Sequence, residues 1–440
     1  METVLVIGAA RSGIAVSKLL LKNGYHVVLT DSNEIKEKAE LQDLGIEVFD
    51  GGHPDCLKDK EYAFIVKNPG IPYRVPFVHY FVEQNAKIYT EIEVAYRFAK
   101  NFNYAAVTGT DGKTTVTTLL YEMLNRQKKS LVAGNIGTPL CELVLEHTDT
   151  DYNVALELSN FQLLGIETFR PHVSTVTNLA PDHLDYMDSL EAYYQSKMRI
   201  YENTNADDYF IRNVDDENVV KYAQNIPCQV IDFSLKRKDV DLYKDDKYAY
   251  YKATHLFTLS DLKIVGEFNC GNAMMASCMA YLMGVSLFNI QEVIREFSGV
   301  EHRIEYVGTI DNVRFYNDSK ATNTHAACAG LSAFEKNVIL LCGGKDKHIS
   351  FDDLKQYDAV VKKCISFGQT KDKFKDIFTN QISVETMKDA FEKAVLSAKP
   401  GDIVLLCPAC SSFDQFKNYE IRGEIFKQMV HDYASKRNEE

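Results

Sequence analysis

The run Thr108-Gly-Thr-Asp-Gly-Lys-Thr-Thr115 stands directly after the apolar stretch Tyr104-Ala-Ala-Val107 and before a helical pattern over 114–127. A strand, a glycine turn and a helix start together are what a phosphate cradle requires. Gly109 and Gly112 let oxygen atoms approach the backbone, and successive N–H groups and the helix N-terminus then face the anion. Lys113 neutralises charge on the terminal phosphates, Thr114 offers a hydroxyl to magnesium, and Thr115 is a candidate cap for the helix. The full Walker spacing asks for glycine at position 107, where this chain has Val107, so the loop is a shortened form. Taken alone it suits a hydrolase or a kinase as well as a ligase, and an ordinary tight turn is the structural alternative.

Two further clusters bear on that choice. Glu157 ends an apolar run beginning at Val154, where a carboxylate can reach a metal bound at the loop. A carboxylate buried there without a cation would be costly. Asp182-His-Leu-Asp185 follows the run Val173 to Asn178 and sets an imidazole and two carboxylates within four residues. A single histidine is more often a hydrogen-bonded structural residue than a ligand. Beside Lys113, Thr114 and Glu157, His183 reads as part of a metal and phosphate site.

The elements that must carry these groups follow βαβ grammar. Short β-branched runs (Val4 to Ile7, Val27 to Leu29, Val154 to Leu158, Val173 to Asn178, Val338 to Leu341, Cys364 to Phe367, Ile403 to Leu406) alternate with amphipathic stretches such as Ile14 to Lys22. The fold class is α/β throughout. A length of 440 residues favours three domains. Boundaries near Ala95 to Asn103 and Ser298 to Val300 give 1–95, 96–299 and 300–440, with a helical stretch from Phe268 to Phe297 closing the second.

The first of these opens with Gly8-Ala-Ala-Arg-Ser-Gly13 after a strand, and Asp31 follows the next one. That is a dinucleotide-type pattern, which in isolation suggests NAD. Ala10 replaces the middle glycine of the fingerprint and hinders close approach of a pyrophosphate, so NAD is the weaker reading.

Composition narrows the field. The formal net charge of -13 argues against a general nucleic-acid binder, which needs basic surface to displace counterions. With 45% hydrophobic and 25% charged residues the chain is globular, and its apolar runs fall short of the length of a membrane-spanning helix. A cytoplasmic protein with reduced thiols is expected. Of ten cysteines only Cys407-Pro-Ala-Cys410 has redox or zinc spacing, and no second pair completes a zinc site.

The ordered motifs resemble those of the Mur ligases of bacterial peptidoglycan synthesis and their folylpolyglutamate synthase relatives. The resemblance covers nearly the whole chain. It adds Gly134-Asn-Ile-Gly137, Glu157-Leu-Ser159, the Lys197 segment Ser196-Lys-Met-Arg-Ile-Tyr-Glu202, Asn269 and Asn272, His302-Arg303, and Asn317-Asp-Ser-Lys-Ala-Thr-Asn323. Gly343-Gly-Lys-Asp-Lys347 and Pro408-Ala-Cys-Ser-Ser-Phe-Asp-Gln-Phe-Lys417 are most similar to the branch that adds D-glutamate. The Asp-Asn-Pro-Arg motif of diaminopimelate- or lysine-adding relatives is absent.

The resemblance implies a Rossmann-like first domain for a UDP-sugar, a central P-loop domain for ATP, and a Rossmann-like third domain for the incoming amino acid. It implies an ADP-forming ligase that joins D-glutamate to UDP-N-acetylmuramoyl-L-alanine through an acyl phosphate, working as a monomer with ATP and two magnesium ions. Lys113, Glu157, His183 and Lys197 would be catalytic. Thr114, Glu157, His183 and Lys197 would hold metal, Lys197 as a carbamate, because an ammonium cannot ligate a cation. ATP would be met by Gly109 to Thr115, Asn269, Asn272 at adenine, Arg303 at phosphate, Asp318 at ribose, and Lys320. The sugar nucleotide would meet Ala10, Arg11, Ser12, Asp31, Ser32, Gly70, Asn135 and Ser159. D-Glutamate would meet Thr322, Lys347, Ser412, Phe413 and Tyr419. A ligase for another amino acid, a non-catalytic nucleotide-binding protein and an NAD-dependent oxidoreductase remain the rival readings.

Overall fold

The computed structural model describes residues 1–99, 101–147, 150–181, 187, 189–347 and 349–439. The chain divides into two compact units, Met1–Thr258 with Asn272–Val293, and Leu259–Gly271 with Ile294–Glu440.

The first unit holds two sheets. Strands β1 (Thr3–Ile7), β2 (His26–Thr30), β3 (Glu47–Phe49), β4 (Phe64–Lys67) and β5 (Ile88–Tyr89) lie parallel in the order β3-β2-β1-β4-β5. Val4, Leu5, Val6 and Ile7 are all buried, which explains an apolar run without alternation: both faces of the strand are covered. Strand order reverses between β1 and β4, and a ligand of such a sheet sits outside the carboxyl ends at that reversal.

The second sheet takes β6 (Phe102–Thr108), β7 (Leu131–Gly134), β8 (Tyr152–Glu157), β9 (Val173–Val176), β10 (Tyr209–Asn213), β11 (Gln229–Phe233), β12 (Leu242–Lys244), β13 (Tyr248–Tyr251) and β14 (Thr254–Thr258). Its order is β14-β13-β12-β11-β10-β9-β6-β8-β7, parallel except for the antiparallel β12-β13-β14 edge. Strand β6 lies between β9 and β8 and opens directly into the glycine loop. The strand expected to run to Asn178 stops at Val176; Thr177 N–H still donates to Thr108 O, while the Thr177 and Asn178 side chains turn to that loop.

One apolar core links the two sheets, from Val4, Val27 and Leu29 through Ile92 and Ala95 to Tyr104, Ala106 and Leu156. Ile92 and Ala95 belong to the Glu91–Phe98 helix, which joins the sheets. On the same helix Glu93 is fully buried, and its carboxylate accepts the backbone N–H groups of Glu167, Thr168 and Phe169, the Thr168 hydroxyl and Arg97 Nε.

The second unit carries β15 (Glu305–Ile310), β16 (Val313–Asn317), β17 (Val338–Gly343), β18 (Val361–Phe367), β19 (Gln381–Ser383) and β20 (Ile403–Leu406), in the order β15-β16-β20-β17-β18-β19. The β15-β16 hairpin turns on Asp311 and Asn312 with φ of 51° and 61°, the left-handed pair that a two-residue turn needs. The helical stretch expected over 268–297 is two helices, Glu267–Leu282 and Leu287–Glu296. Gly284, at φ 86°, ends the first.

Glu93 yields a stability prediction. Burial pushes its carboxyl up, but the hydrogen bonds from Glu167, Thr168 and Arg97 outweigh burial and hold it below the usual range. Its stabilisation is therefore present above the ordinary carboxylate pKa and lost as pH falls through the lower folded value. We expect Glu93→Ala to cost about 2–4 kcal/mol near neutral pH, because the buried Phe169 N–H, the part-buried Glu167 and Thr168 N–H groups and the Thr168 hydroxyl lose their acceptor. Urea unfolding should show the deficit shrinking below about pH 4; a deficit that held constant into acid would contradict the charged-acceptor role.

Candidate active site

The glycine loop is held by its neighbours rather than by itself. Asp111 N–H donates to Asn178 Oδ1 at 3.0 Å and Asn178 Nδ2 donates back to Asp111 O at 3.0 Å. The Thr177 hydroxyl donates to the same carbonyl at 2.6 Å, and Thr110 N–H donates to Asn178 O at 3.0 Å. The Thr110 hydroxyl closes a further pair, donating to Ala180 O and accepting from Ala180 N–H. In the sequence Thr177 and Asn178 read as the end of the run from Val173 and Ala180 lies just past it, and nothing in their residue types marks them as a brace.

Gly112, at φ 80°, stands at the cap position of the Lys113–Gln127 helix. A Cβ there would lie 2.5 Å from Asn272 Oδ1, which places Asn272 against the loop. Thr115 is thus the third residue of the helix and not its cap, a correction to the sequence reading. A left-handed cap residue favours glycine, and glycine leaves the helix start open to an anion.

Two lysines grip the loop's carbonyls. Lys113 Nζ donates to Thr110 O at 2.7 Å. Lys197, only 2% exposed, donates to Gly109 O at 2.6 Å and stands 4.6 Å from the centre of the Tyr193 ring. Glu157 closes β8 beside the last residues of β6, with Val107 as its register partner. Its Oε1 accepts from Asn135 Nδ2 at 2.8 Å, while its buried Oε2 has no hydrogen-bond partner among the described residues. A desolvated carboxylate oxygen with nothing to accept is what a divalent cation would satisfy, so Glu157 fits a magnesium site at this loop. Thr114 lies in the first helical turn, half-buried. Asp182, His183 and Asp185 lie outside the described residues. The Ser159 hydroxyl is engaged in a capping box with Gln162.

At the first sheet the residues expected for the sugar nucleotide converge on the carboxyl ends of β1, β2 and β4. Asp31 accepts from Ala9 N–H at 2.7 Å and Asn33 N–H at 2.8 Å, beside Ser32. Burial pushes Asp31 up, but these two hydrogen bonds carry it below its usual range. The Ser12 hydroxyl accepts from Asn68 Nδ2 at 3.2 Å, and Gly70 N–H donates to Asn68 Oδ1. Ala10 precedes the Arg11–Lys22 helix. The Arg11 guanidinium reaches instead to Gly137 O, the Thr138 hydroxyl and the Glu142 carboxylate.

Asn269, Arg303, Asp318, Lys320, Thr322, Lys347, Ser412, Phe413 and Tyr419 belong to the second unit. Asp318 follows β16 and is buried; Oδ1 accepts from Ile304 N–H at 3.3 Å and Oδ2 from the Cys407 thiol at 3.4 Å. Lys320 Nζ lies 5.5 Å from the centre of the Tyr419 ring, and Lys347 Nζ donates to Thr322 O at 3.5 Å. Ser412 is buried and Phe413 is exposed. Asn269 Nδ2 donates to Val265 O. The organiser that the sequence did not reveal is Arg422, fully buried, whose guanidinium donates to Ser319 O, the Ser319 hydroxyl and Cys410 O. It ties the 317–323 motif to the 408–417 motif.

Glu301, His302 and Glu424 have ligand atoms close enough for a metal, yet they are committed otherwise. Lys427 Nζ lies 2.6 Å from Glu301, 2.8 Å from Glu424 and 3.3 Å from Glu305. Asn317 Oδ1 accepts from Ser319 N–H, so its Nδ2 faces His302 Nδ1 at 3.0 Å and makes that nitrogen an acceptor. The imidazole proton is then on Nε2, which blocks ligation there.

Residues 107–280 match the Mur ligase middle domain, and residues 302–410 match the Mur ligase, glutamate ligase domain. The chain is 43% identical over 440 residues to the UDP-N-acetylmuramoylalanine–D-glutamate ligase of Geobacillus sp. (strain WCH70), covering 97% of both chains. It is 41% identical over 443 residues to that of Bacillus cereus (strain G9842), covering 98% of this chain and 97% of that one. In fold it is similar to the UDP-N-acetylmuramate-alanine ligase MurC of Thermotoga maritima, with a TM-score of 0.56 and 18% identity, covering 98% of this chain and all of the other. It is likewise similar to the MurF ligase of Thermotoga maritima in complex with ADP, with a TM-score of 0.59 and 16% identity, covering 94% of this chain and 96% of that one.

The Asp318 carboxyl carries a prediction. Burial pushes it up to about 7, against the opposing effect of its hydrogen bonds from Cys407 and Ile304. A carboxyl raised in the folded state contributes stability below about pH 4 that is lost as pH climbs through the folded value. We expect Asp318→Asn to escape that loss, so its stability relative to the parent chain rises by up to about 4 kcal/mol between about pH 4 and pH 8. Parallel urea titrations test this; a difference independent of pH would refute it.

Proposed function

The chain belongs to the Mur ligase family, and from that membership we propose that it joins the amine of D-glutamate to the carboxylate of UDP-N-acetylmuramoyl-L-alanine while ATP becomes ADP and phosphate. The observation that carries phosphoryl chemistry is the buried Glu157 carboxylate, with one unsatisfied oxygen, beside a glycine loop that ends in Lys113 and Thr114. The resemblance to D-glutamate ligases supplies donor and acceptor.

A carboxylate is a poor electrophile. Its oxygen attacks the γ-phosphorus, the β–γ bond breaks, and ADP leaves with the electron pair. The product is an acyl phosphate, a mixed anhydride whose carbonyl carbon then takes the amine. The tetrahedral intermediate expels phosphate, and the amine proton passes to solvent or a base. The protein positions these groups and stabilises charge. Lys113 faces the terminal phosphates, and the amides at the uncapped start of the Lys113–Gln127 helix face their oxygens, since the Thr110 and Asp111 N–H groups are taken by Asn178. Magnesium, when bound, neutralises charge on the β- and γ-phosphates, and Thr114, Glu157, His183 and Lys197 are the residues that would hold it. Lys197 joins that set as a carbamate, its Nζ bonded to the carbon of carbon dioxide with loss of a proton.

Residues 1–95 serve the sugar nucleotide through Ala10, Ser12, Asp31, Ser32, Gly70 and the backbone of Arg11, whose side chain is held by Glu142, and residues 96–299 serve ATP. Residues 300–440 serve the amino acid through Thr322, Lys347, Ser412, Phe413 and Tyr419, and add Arg303, Asp318 and Lys320 for the nucleotide. A cation with hydroxyl donors suits a dicarboxylic acid. No helix of the described residues is long and apolar enough to cross a membrane. The reaction is assigned to the cytoplasm and to a single copy of the chain.

Phosphate release is the direct test. It should require UDP-N-acetylmuramoyl-L-alanine and D-glutamate together, and Lys113→Ala should abolish it with the melting temperature unchanged; release indifferent to both substrates would sink the ligase assignment. For Lys197→Ala we expect inactivity that small carboxylates such as formate or acetate partly restore. Failure of every small acid to restore turnover counts against the carbamate.

A further inference from the structure

Lys67 ends β4 with its side chain wholly buried. Its ammonium donates to Ile71 O at 2.6 Å and Asn68 O at 3.1 Å, and it lies 4.5 Å from the centre of the Tyr73 ring. Lysine is almost never drawn fully inside a protein, because its charge is strongly hydrated. Burial pushes this ammonium down to about 8, so near neutral pH it is still mostly charged. An apolar side chain of similar length would fill the same volume without the cost of desolvating a charge. A charge kept in that position points to a task that needs it.

The carbonyls it grips belong to the turn Asn68-Pro-Gly-Ile71. The turn starts where Asn68 N–H donates to Ile7 O, and it is braced by Ile71 N–H on Asn68 O and by Asn68 Nδ2 on the Ser12 hydroxyl. Across from it runs the Gly8 to Ser12 turn. The approach is so close that a Cβ at Gly8 would lie 2.7 Å from Asn68 Cβ and 2.9 Å from Ile71 Cδ1. Ile7 and Lys67 are register partners, so the two turns leave β1 and β4 at one level, at the reversal of strand order. Lys67 therefore sits at the floor of the crevice where a parallel sheet receives its ligand.

We infer that Lys67 is a positioning residue for the diphosphate of the sugar nucleotide, holding the Asn68–Ile71 turn against the Gly8–Ser12 turn and placing a positive charge beneath the crevice they form. The inference rests on the reading of residues 1–95 as the sugar-nucleotide domain. A buried charge acts on a nearby anion through protein rather than water, so its field is weakly screened. The helix that begins at Arg11 has Ala10 as its cap residue and no side-chain cap, leaving its positive end at the same crevice. Ala10, where the dinucleotide fingerprint has glycine, keeps a pyrophosphate from the closest approach to the backbone. A charge supplied from below offsets that greater distance.

The test compares Lys67→Met, which keeps length and removes charge, with Lys67→Gln, which keeps a donor and removes charge. UDP binding is measured by titration calorimetry, thermal melting reports the fold, and steady-state assays give KM for the sugar nucleotide, ATP and D-glutamate. We expect both variants to melt no lower than the parent chain. Kd for UDP and KM for the sugar nucleotide should rise about tenfold, while kcat and the other two KM values stay unchanged. Parent-like UDP binding in either variant overturns the inference. So does loss of the fold in both, or a uniform fall in every kinetic parameter, since each marks a purely structural lysine. A parent chain that binds no UDP yet releases phosphate with other substrates overturns the reading of the first domain itself.

Discussion

Asp111 and Asn178 exchange two hydrogen bonds at the edge of the glycine loop, and the geometry of the central site depends on that exchange. A loop containing Gly109 and Gly112 has more conformational freedom to lose than a run without glycine, so something outside it must fix it. Asn178 can do so because β9 stops at Val176 and the last ladder bond, Thr177 N–H to Thr108 O, leaves Asn178 clear of the sheet. Parallel register then sets the level of every other group. Thr108 pairs with Val176 and Val107 with Glu157, so the loop, its brace and the carboxylate leave the sheet together. A slip of one residue between β6 and β8 would turn Glu157 to the opposite face.

The same device recurs wherever a turn has to be held. Glu93 grips the backbone of Glu167 to Phe169, Lys67 grips the Asn68 and Ile71 carbonyls, and Arg422 grips Ser319 and Cys410. In each case a buried charged side chain from a regular element fixes backbone atoms of a turn that the element does not contain. Burying the charge is unfavourable: it pushes Arg422 down to about 10 and Lys67 to about 8. What the arrangement provides is a single geometry, since a carboxylate or guanidinium with several donors or acceptors matched to it tolerates little displacement. Turns that carry ligand contacts need that more than they need stability.

These braces also mark the limit of what the sequence makes legible. The β6 strand, its glycine loop and the helix after it are contiguous, as are Val4 to Ile7 and its glycine turn, so local pattern suffices to find them. The helix break at Gly284 and the hairpin at Asp311-Asn312 carry local signals too, although neither was drawn from the sequence. The Tyr-rich β12-β13-β14 edge, where Tyr243 stacks on its register partner Tyr250, was also passed over. Arg422 is different in kind. It lies within the Tyr419–Glu439 helix among charged residues, and nothing nearby distinguishes it from a solvated arginine. Its partners, 103 and 12 positions away, meet it only when the sheet is assembled. Arg11 shows the converse: a motif position assigned from its turn, with a side chain that the folded unit directs to Glu142.

The misreading of Thr115 shows why helix starts at such sites are unusual. Threonine is a good cap former, and elsewhere the chain follows that preference: Ser159, Ser189, Asp216, Asn323 and Thr386 each accept a first-turn N–H through the side chain. A capping oxygen is itself a partial negative charge placed where a phosphate oxygen would otherwise sit. A helix can therefore satisfy its own first turn or present it to an anion, and one position cannot do both. Gly112, left-handed at the cap position, has no side chain to offer, which leaves the first turn without a side-chain cap and its dipole end unneutralised. Glycine here costs helix stability by its freedom in the unfolded chain, and the braces from Thr177 and Asn178 offset that cost. The shortened loop is thus a consistent solution: Gly109 stands where a Cβ would lie 1.9 Å from the Thr177 hydroxyl, Gly112 leaves the helix start open, and the residues just past β9 supply rigidity.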